Sequence, residues 1–190
     1  KTAALAVDGL FTVNLENGST RKIANAITLQ TISYSADGNK LLTGTGQNQG
    51  NVAQIWDAKT GSLIKSYETK AWFPRWSPDE TKILFPAHRR GKSAIIDLKT
   101  DELTIFSHED NPGMSMYGTF DRTGERFLSV TWDSKFNVWD IASGELQYSL
   151  QHGSGKGGGF DGSVGIFTPD NQKILTISHD LAIKLWTAEE

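Results

Sequence analysis

Cysteine is absent from the chain, which excludes disulfide staples, thiol nucleophiles and thiolate zinc sites. That absence suits a bacterial periplasmic protein and a cytosolic one alike, so the compartment stays open. Histidine is scarce, with only His88, His108, His152 and His179. No His-Glu-x-x-His spacing occurs, so the helical zinc-hydrolase motif is excluded. No apolar run reaches the roughly 18–20 residues of a membrane-spanning helix. The net charge of −3 is too small to argue for a nucleic acid or an acidic membrane surface as partner. No glycine-rich stretch ends in Gly-Lys-Ser/Thr, so the run from Gly153 to Gly159 is a linker rather than a phosphate loop. What remains is nineteen glycines and 10% aromatic residues in 190 positions. That mixture suits short strands joined by tight turns, in a chain long enough to bury a substantial core.

Five stretches close a strand with nearly the same signature. They are Phe11–Leu15, Ala53–Asp57, Ala94–Asp97, Phe136–Asp140 and Ile183–Thr187. Aligned on one slot, the residues are Asn14, Trp56, Ile96, Trp139 and Trp186, at spacings of 42, 40, 43 and 47. A second marker is a polar turn between apolar runs: Ser35–Gly38, Ser77–Glu80, Asp121–Gly124 and Thr168–Asn171. A third is the hairpin turn after the signature, as in Lys59-Thr60-Gly61 and Ala142-Ser143-Gly144. Three markers in one phase describe an array of supersecondary units, and four strands fill a period of about 40–45 residues. The expected repeats are 1–26 (partial), 27–70, 71–110, 111–152 and 160–190 (partial), within one segment spanning 1–190.

These repeats resemble WD-repeat (WD40) β-propellers over essentially the whole chain. The resemblance implies an all-β fold of four-stranded antiparallel blades, about four and a half of them here, in an incomplete ring. Counting strands as a to d gives eighteen: three in the first repeat, twelve in the next three and three in the last. In that family an Asp six residues before the Trp, with Ser or Thr four before the Asp, belongs to an internal hydrogen-bond set. Ser129, Asp133 and Trp139 match that spacing, as do Thr176, Asp180 and Trp186. Repeat one keeps Asp8 but has Asn14 in the tryptophan slot. Gly50 and Arg90 stand at the Asp position of repeats two and three, where the set is expected to be lost. His108 and His152 are expected to be out of register with the family's Gly-His pair. Thr2–Val7 and Ile183–Thr187 are expected to be unpaired edges that invite completion by an upstream part of the same propeller or by another copy.

The turns between strands b and c share one end of the blades with the connections from d to a. In the family resembled, that end receives partners. Here it carries Gln47 and Asn48, the cluster His88, Arg89, Arg90 and Lys92, then Trp132, His152 and Lys156. A solvated turn explains a basic cluster as readily, and Trp132 fits inter-blade packing as well as a hot spot. Three functions are weighed. The first is a non-catalytic scaffold that binds a protein or peptide on this face. The second is a propeller enzyme or small-ligand binder with its site in the central funnel. The third is a rigid architectural module. The strand a segments Leu29–Tyr34, Met116–Phe120 and Val164–Thr168 hold no charged residue, which favours the scaffold. No catalytic residue, cofactor site or metal site is expected, and no nucleic-acid partner.

Overall fold

The computed structural model describes residues 2–6, 9–25, 29–45, 52–69, 72–89, 91–108, 115–153, 163–178 and 180–187. Eighteen strands run through these residues, in five antiparallel sheets of three or four strands that follow chain order. Among the described residues there is no helix. The chain divides into two compact units, Lys1–Pro74 and Arg75–Glu190.

The first unit contains two sheets. Repeat one is β1 (Thr2–Ala6), β2 (Gly9–Asn14) and β3 (Thr20–Asn25); repeat two is β4 (Leu29–Tyr34), β5 (Lys40–Thr45), β6 (Val52–Asp57) and β7 (Leu63–Glu68). Their shared core is Leu10, Leu41 and Trp56, lined by Ile23, Leu29, Ile32 and Tyr34. β1 pairs only with β2 among the described residues.

The second unit contains three sheets. Repeat three is β8 (Arg75–Trp76), β9 (Lys82–Arg89), β10 (Lys92–Asp97) and β11 (Leu103–Ser107). Repeat four is β12 (Ser115–Phe120), β13 (Arg126–Thr131), β14 (Lys135–Asp140) and β15 (Leu146–Gln151). Repeat five is β16 (Val164–Phe167), β17 (Lys173–Ile177) and β18 (Ile183–Thr187). The cores lie between neighbouring sheets. Leu84, Ile95, Phe106, Phe120, Phe127 and Trp139 fill the space between repeats three and four. Leu128, Val130, Phe136, Val138, Leu150, Phe167 and Ile174 fill that between repeats four and five.

This layering explains the burial pattern. The second and third strands of repeats three and four are covered on both faces, so β13 and β14 are buried continuously rather than in alternation. The fourth strand has one wet face, so β7 and β15 alternate. Two glycines in first strands permit close approach. A side chain at Gly165 would meet Leu128 and Phe136 at 2.6–2.8 Å, and one at Gly118 would meet the Leu128 carbonyl at 3.0 Å.

Turn chemistry fixes the hairpins. In three first turns a hydroxyl opens the loop: Ser35, Ser77 and Thr168 each donate to the Asp two residues on, at 2.5–2.6 Å. The same hydroxyls accept the N–H of Lys40, Lys82 and Lys173 at 2.9–3.0 Å. The Ser35 hydrogen bond holds the Asp37 carboxyl down at about 2. Repeat four inverts the motif, with Asp121 as acceptor for the Thr123 hydroxyl and the Gly124 N–H. The fourth turn residue is left-handed throughout: Gly38 and Gly124, but also Glu80 and Asn171.

The turns after the signature are capped by its last residue. Asp57, Asp97 and Asp140 each accept a backbone N–H three residues on, from Thr60, Thr100 and Ser143. Those bonds hold all three carboxyls below the usual range. Asn14 accepts the N–H two residues on, from Glu16 at 2.8 Å, as Asp57 and Asp97 do from Lys59 and Lys99, and its own N–H pairs with Ser19 O as that of Asp57 does with Ser62 O. Asn14 therefore occupies the aspartate slot of repeat one, and Val13 the tryptophan slot. The one-residue misalignment arose because repeat one has no Trp to anchor the match.

Candidate functional site

The polar sets are placed by strand register. The residue two before the tryptophan slot faces one partner on the second strand. The pairs are Gln54 with Thr43, Asn137 with Ser129, and Lys184 with Thr176. The hydroxyl on that partner meets the indole. Trp56 Nε1 donates to Thr43 Oγ1 at 3.0 Å, Trp139 Nε1 to Ser129 Oγ at 2.9 Å and Trp186 Nε1 to Thr176 Oγ1 at 2.8 Å. A buried indole N–H needs such an acceptor. Repeat two therefore keeps its hydroxyl–indole bond. Its longer second turn moves the threonine out of the fixed sequence spacing while the ladder holds it in place. In repeat three the slots hold Phe85 and Ile96, and in repeat one Leu5 and Val13. Hydroxyl and tryptophan are present together or absent together.

Two histidines join these sets, against the expectation that they lie out of register. His152 directly follows β15, and its N–H donates to Ser134 O at 3.1 Å. Its Nδ1 lies 2.7 Å from Thr176 Oγ1, and its Nε2 3.4 Å from Asp180 Oδ1. The long segment between His152 and β16 stretched the sequence spacing, but backbone pairing holds the ring in place. Repeat five thus has a complete set of His152, Thr176, Asp180 and Trp186.

His108 follows β11 and takes a different route. Ser149 Oγ donates to Asn137 Oδ1 at 2.6 Å, which turns the Asn137 amide nitrogen toward His108 Nδ1 at 3.1 Å. His108 Nε2 is 3.3 Å from Ser93 Oγ, which donates to Pro86 O at 2.8 Å. Nδ1 accepts and Nε2 donates, so the ring is neutral. Burial pushes its pKa down to about 4; Asp133 opposes that shift and Lys135 adds to it. In this repeat Asp133 instead receives the Thr131 hydroxyl at 2.5 Å.

Thr176, His152 and Asp180 form the outline of a nucleophile, a base and an orienting acid. The arrangement is closed to substrate. Thr176 is 1% exposed and His152 0%. The threonine oxygen already accepts the Trp186 N–H. A nucleophile must reach a reacting carbon, and this one faces only indole and imidazole. The set fastens β17, β18 and the preceding connection to one another.

The residues expected to face a partner are scattered in fate. His88 is buried at 6% exposure and His152 fully buried, so their rings belong to the interior, because each is packed at a strand end rather than on a turn tip. Lys92 and Trp132 are half-buried. Arg89 ends β9, and its side chain lies outside the described residues, as do Gln47, Asn48, Arg90 and Lys156 in full. Asp8, Gly50 and His179 lie outside them too. Beside Trp132, Ser134, Ser163 and Ser178 form a triangle of hydroxyls with sides of 2.8–3.1 Å.

One charged residue on a first strand escaped the sequence reading. Arg75 opens β8, which is only two residues long, and its guanidinium stacks 5.2 Å from the Tyr117 ring. Its position between Pro74 and Trp76 was the available signal, masked by the aromatic cluster around it. Among the described residues no cluster of His, Cys, Asp and Glu could hold a metal ion, and no helix is long and apolar enough to cross a membrane.

No protein-family model matches the chain, and no curated protein matches it. Solved structures do match. The β-propeller domain of Cps50 (Swd1) from Myceliophteria thermophila aligns with a TM-score of 0.76 at 19% identity, covering 98% of this chain. The chain spans 61% of that domain's length. The fold is therefore that of a β-propeller, built of antiparallel blades that hold three or four strands each among the described residues. With 1377 matching chains among solved structures, the fold alone selects no function.

Proposed function

We propose that the chain is a non-catalytic scaffold that binds a protein or peptide through second-to-third-strand turns and the connections between blades. The observation that carries this reading is Trp132. It stands on the β13–β14 turn, half-exposed as a residue, with its indole nitrogen buried and without an acceptor among the described residues. Every signature tryptophan, by contrast, donates to a hydroxyl. A half-exposed tryptophan outside the repeat signature, at a turn, has the composition of an interface hot spot. The burial of Thr176 and His152 argues against chemistry at the one place among the described residues that resembles a catalytic triad.

The test is capture of the physiological partner by the intact protein. Trp132→Ala combined with Arg89→Glu removes capture while the thermal melt stays that of the parent. Retained capture, or loss only when the opposite turns are altered, would refute this face.

A second partner class follows from repeat five. Ile166, Leu175, Ile177, Ile183 and Leu185 are 36–67% exposed, and the ladder sets Ile166 beside Leu175, Leu175 beside Leu185 and Ile177 beside Ile183. One face of this sheet is therefore an uncovered apolar patch. β18 pairs only with β17 among the described residues. We infer that a further blade, from the same protein or another copy, covers that face. Sedimentation of Leu185→Lys against the parent checks it. The substitution should yield more monomer if another copy supplies the blade, and a lower melting point if the same protein does.

A further inference from the structure

At the opposite end of the second unit, where first-to-second-strand turns gather, repeats three, four and five enclose an open groove of about 390 Å³. Its apolar lining comes from Trp76, Phe120, Phe167 and the two turn prolines Pro78 and Pro169. Its charge comes from Arg75 and Arg122. The single carboxylate in the lining, Asp121, is 1% exposed and already bound. Arg126 Nε holds it at 3.1 Å, and Arg126 lies 5.3 Å over the Phe167 ring. Asp121 is thus engaged by Arg126 and pairs with neither groove arginine among the described residues.

Among the described residues both arginines are positioned by few contacts. Arg122 Nη1 reaches Pro169 O at 3.4 Å, and its backbone N–H donates to Asn171 Oδ1 at 3.0 Å. Asn171 O in turn accepts Arg126 Nη2 at 3.1 Å, which ties the two turns together. Arg75 rests on the Tyr117 ring, and its Nε and Trp76 Nε1 are buried beneath the groove surface with no acceptor among the described residues. Neither arginine has an ion-pair partner among the described residues. A guanidinium held on an aromatic face is pre-organised to present its terminal nitrogens to a carboxylate.

We propose that this groove binds an acidic segment of a protein partner, with carboxylates on Arg75 and Arg122 and an apolar side chain against Trp76 and Pro169. The charge of the site is local. The chain as a whole carries −3, so long-range steering favours no polyanion, whereas an apolar floor rewards a peptide that alternates acidic and apolar residues. The volume suits one or two side chains rather than a helix.

The experiment uses the intact protein and a fluorescein-labelled decapeptide of alternating Glu and Leu, with a Gln/Leu decapeptide and a single-stranded RNA decamer as controls. Anisotropy should show the Glu/Leu peptide binding at least tenfold tighter than the Gln/Leu one at low salt, and weakening as salt rises. Arg122→Gln should cut that affinity by tenfold or more with the melt unchanged, since this side chain is exposed. Arg75→Lys, which keeps charge but loses the fork and the stacking, serves as the second variant and should also weaken binding. Equal affinity for the two peptides, or unchanged affinity in Arg122→Gln, would overturn the proposal. So would tighter binding of the RNA that falls in the same variants, which would assign the groove to phosphate. Trp132→Ala should leave peptide binding intact, so failure here and failure of the Trp132 face are read separately.

Discussion

Repeats four and five carry the same Ser/Thr, Asp and Trp at the same spacing, yet the two sets are wired differently. In repeat five the histidine closes on the threonine and stands beside the aspartate. In repeat four the histidine turns to Asn137 and Ser93, and the aspartate receives Thr131 instead. The difference lies in the third strand. Asn137 offers an amide where repeat five has Lys184, whose ammonium lies over the Trp186 ring. Surroundings differ as well. Trp139 is 3% exposed in a full inter-sheet core, whereas Trp186 is only packed against the edge of one. A shared motif thus fixes the hydroxyl–indole bond, while the neighbouring sheet decides what the histidine does.

The contrast in burial gives the largest expected effect. Trp139→Ala should cost about 3–5 kcal/mol, as for a large core truncation, and Trp186→Ala about half as much. Chemical denaturation of both variants measures it; equal losses would mean that repeat five is as well covered as repeat four.

The next effect is acid sensitivity through His108. Its native pKa is near 4, while the unfolded residue takes a proton near 6.5. Between those values the unfolded state holds more protons, so stability is complete above about pH 6.5 and falls as pH drops toward 4. At about 1.4 kcal/mol per pH unit, the loss approaches ~3 kcal/mol. Denaturation midpoints at pH 7 and pH 4.5 should converge in His108→Gln relative to the parent. An unchanged gap in the variant would assign the acid sensitivity elsewhere.

The smallest effect separates clasps in which the hydroxyl has one side-chain partner from the clasp in which it has two. Ser129→Ala strands one indole N–H and should cost about 1–2 kcal/mol. Thr176→Val removes the oxygen that serves both Trp186 and His152, and should cost roughly a kcal/mol more despite the greater exposure of that repeat. The reverse order in thermal melts would show that His152 does not depend on the threonine.

The repeat period, the strand number and the hairpin positions were legible because turns and apolar runs are local signals. Three things were not. Val13 as the tryptophan slot was hidden, since only the cap made by Asn14 reveals the register. Thr43 was hidden by a longer turn that changes spacing without changing pairing. His108 and His152 were hidden because tertiary backbone bonds, such as His152 N–H to Ser134 O, set their place. Arg75 was passed over because it lies among the aromatic residues Trp72, Phe73 and Trp76, which dominate the pattern of that segment.

The joint presence or absence of hydroxyl and tryptophan bears on how such repeats can change. Starting from Phe85 and Ile96, a lone step to tryptophan would bury an unmatched donor, and a lone step to serine would bury a hydroxyl while opening a hole. Each intermediate is worse than either endpoint. Repeats one and three therefore sit across a mutational valley from repeats two, four and five, and a single substitution in either direction is expected to be trapped unless its partner changes with it.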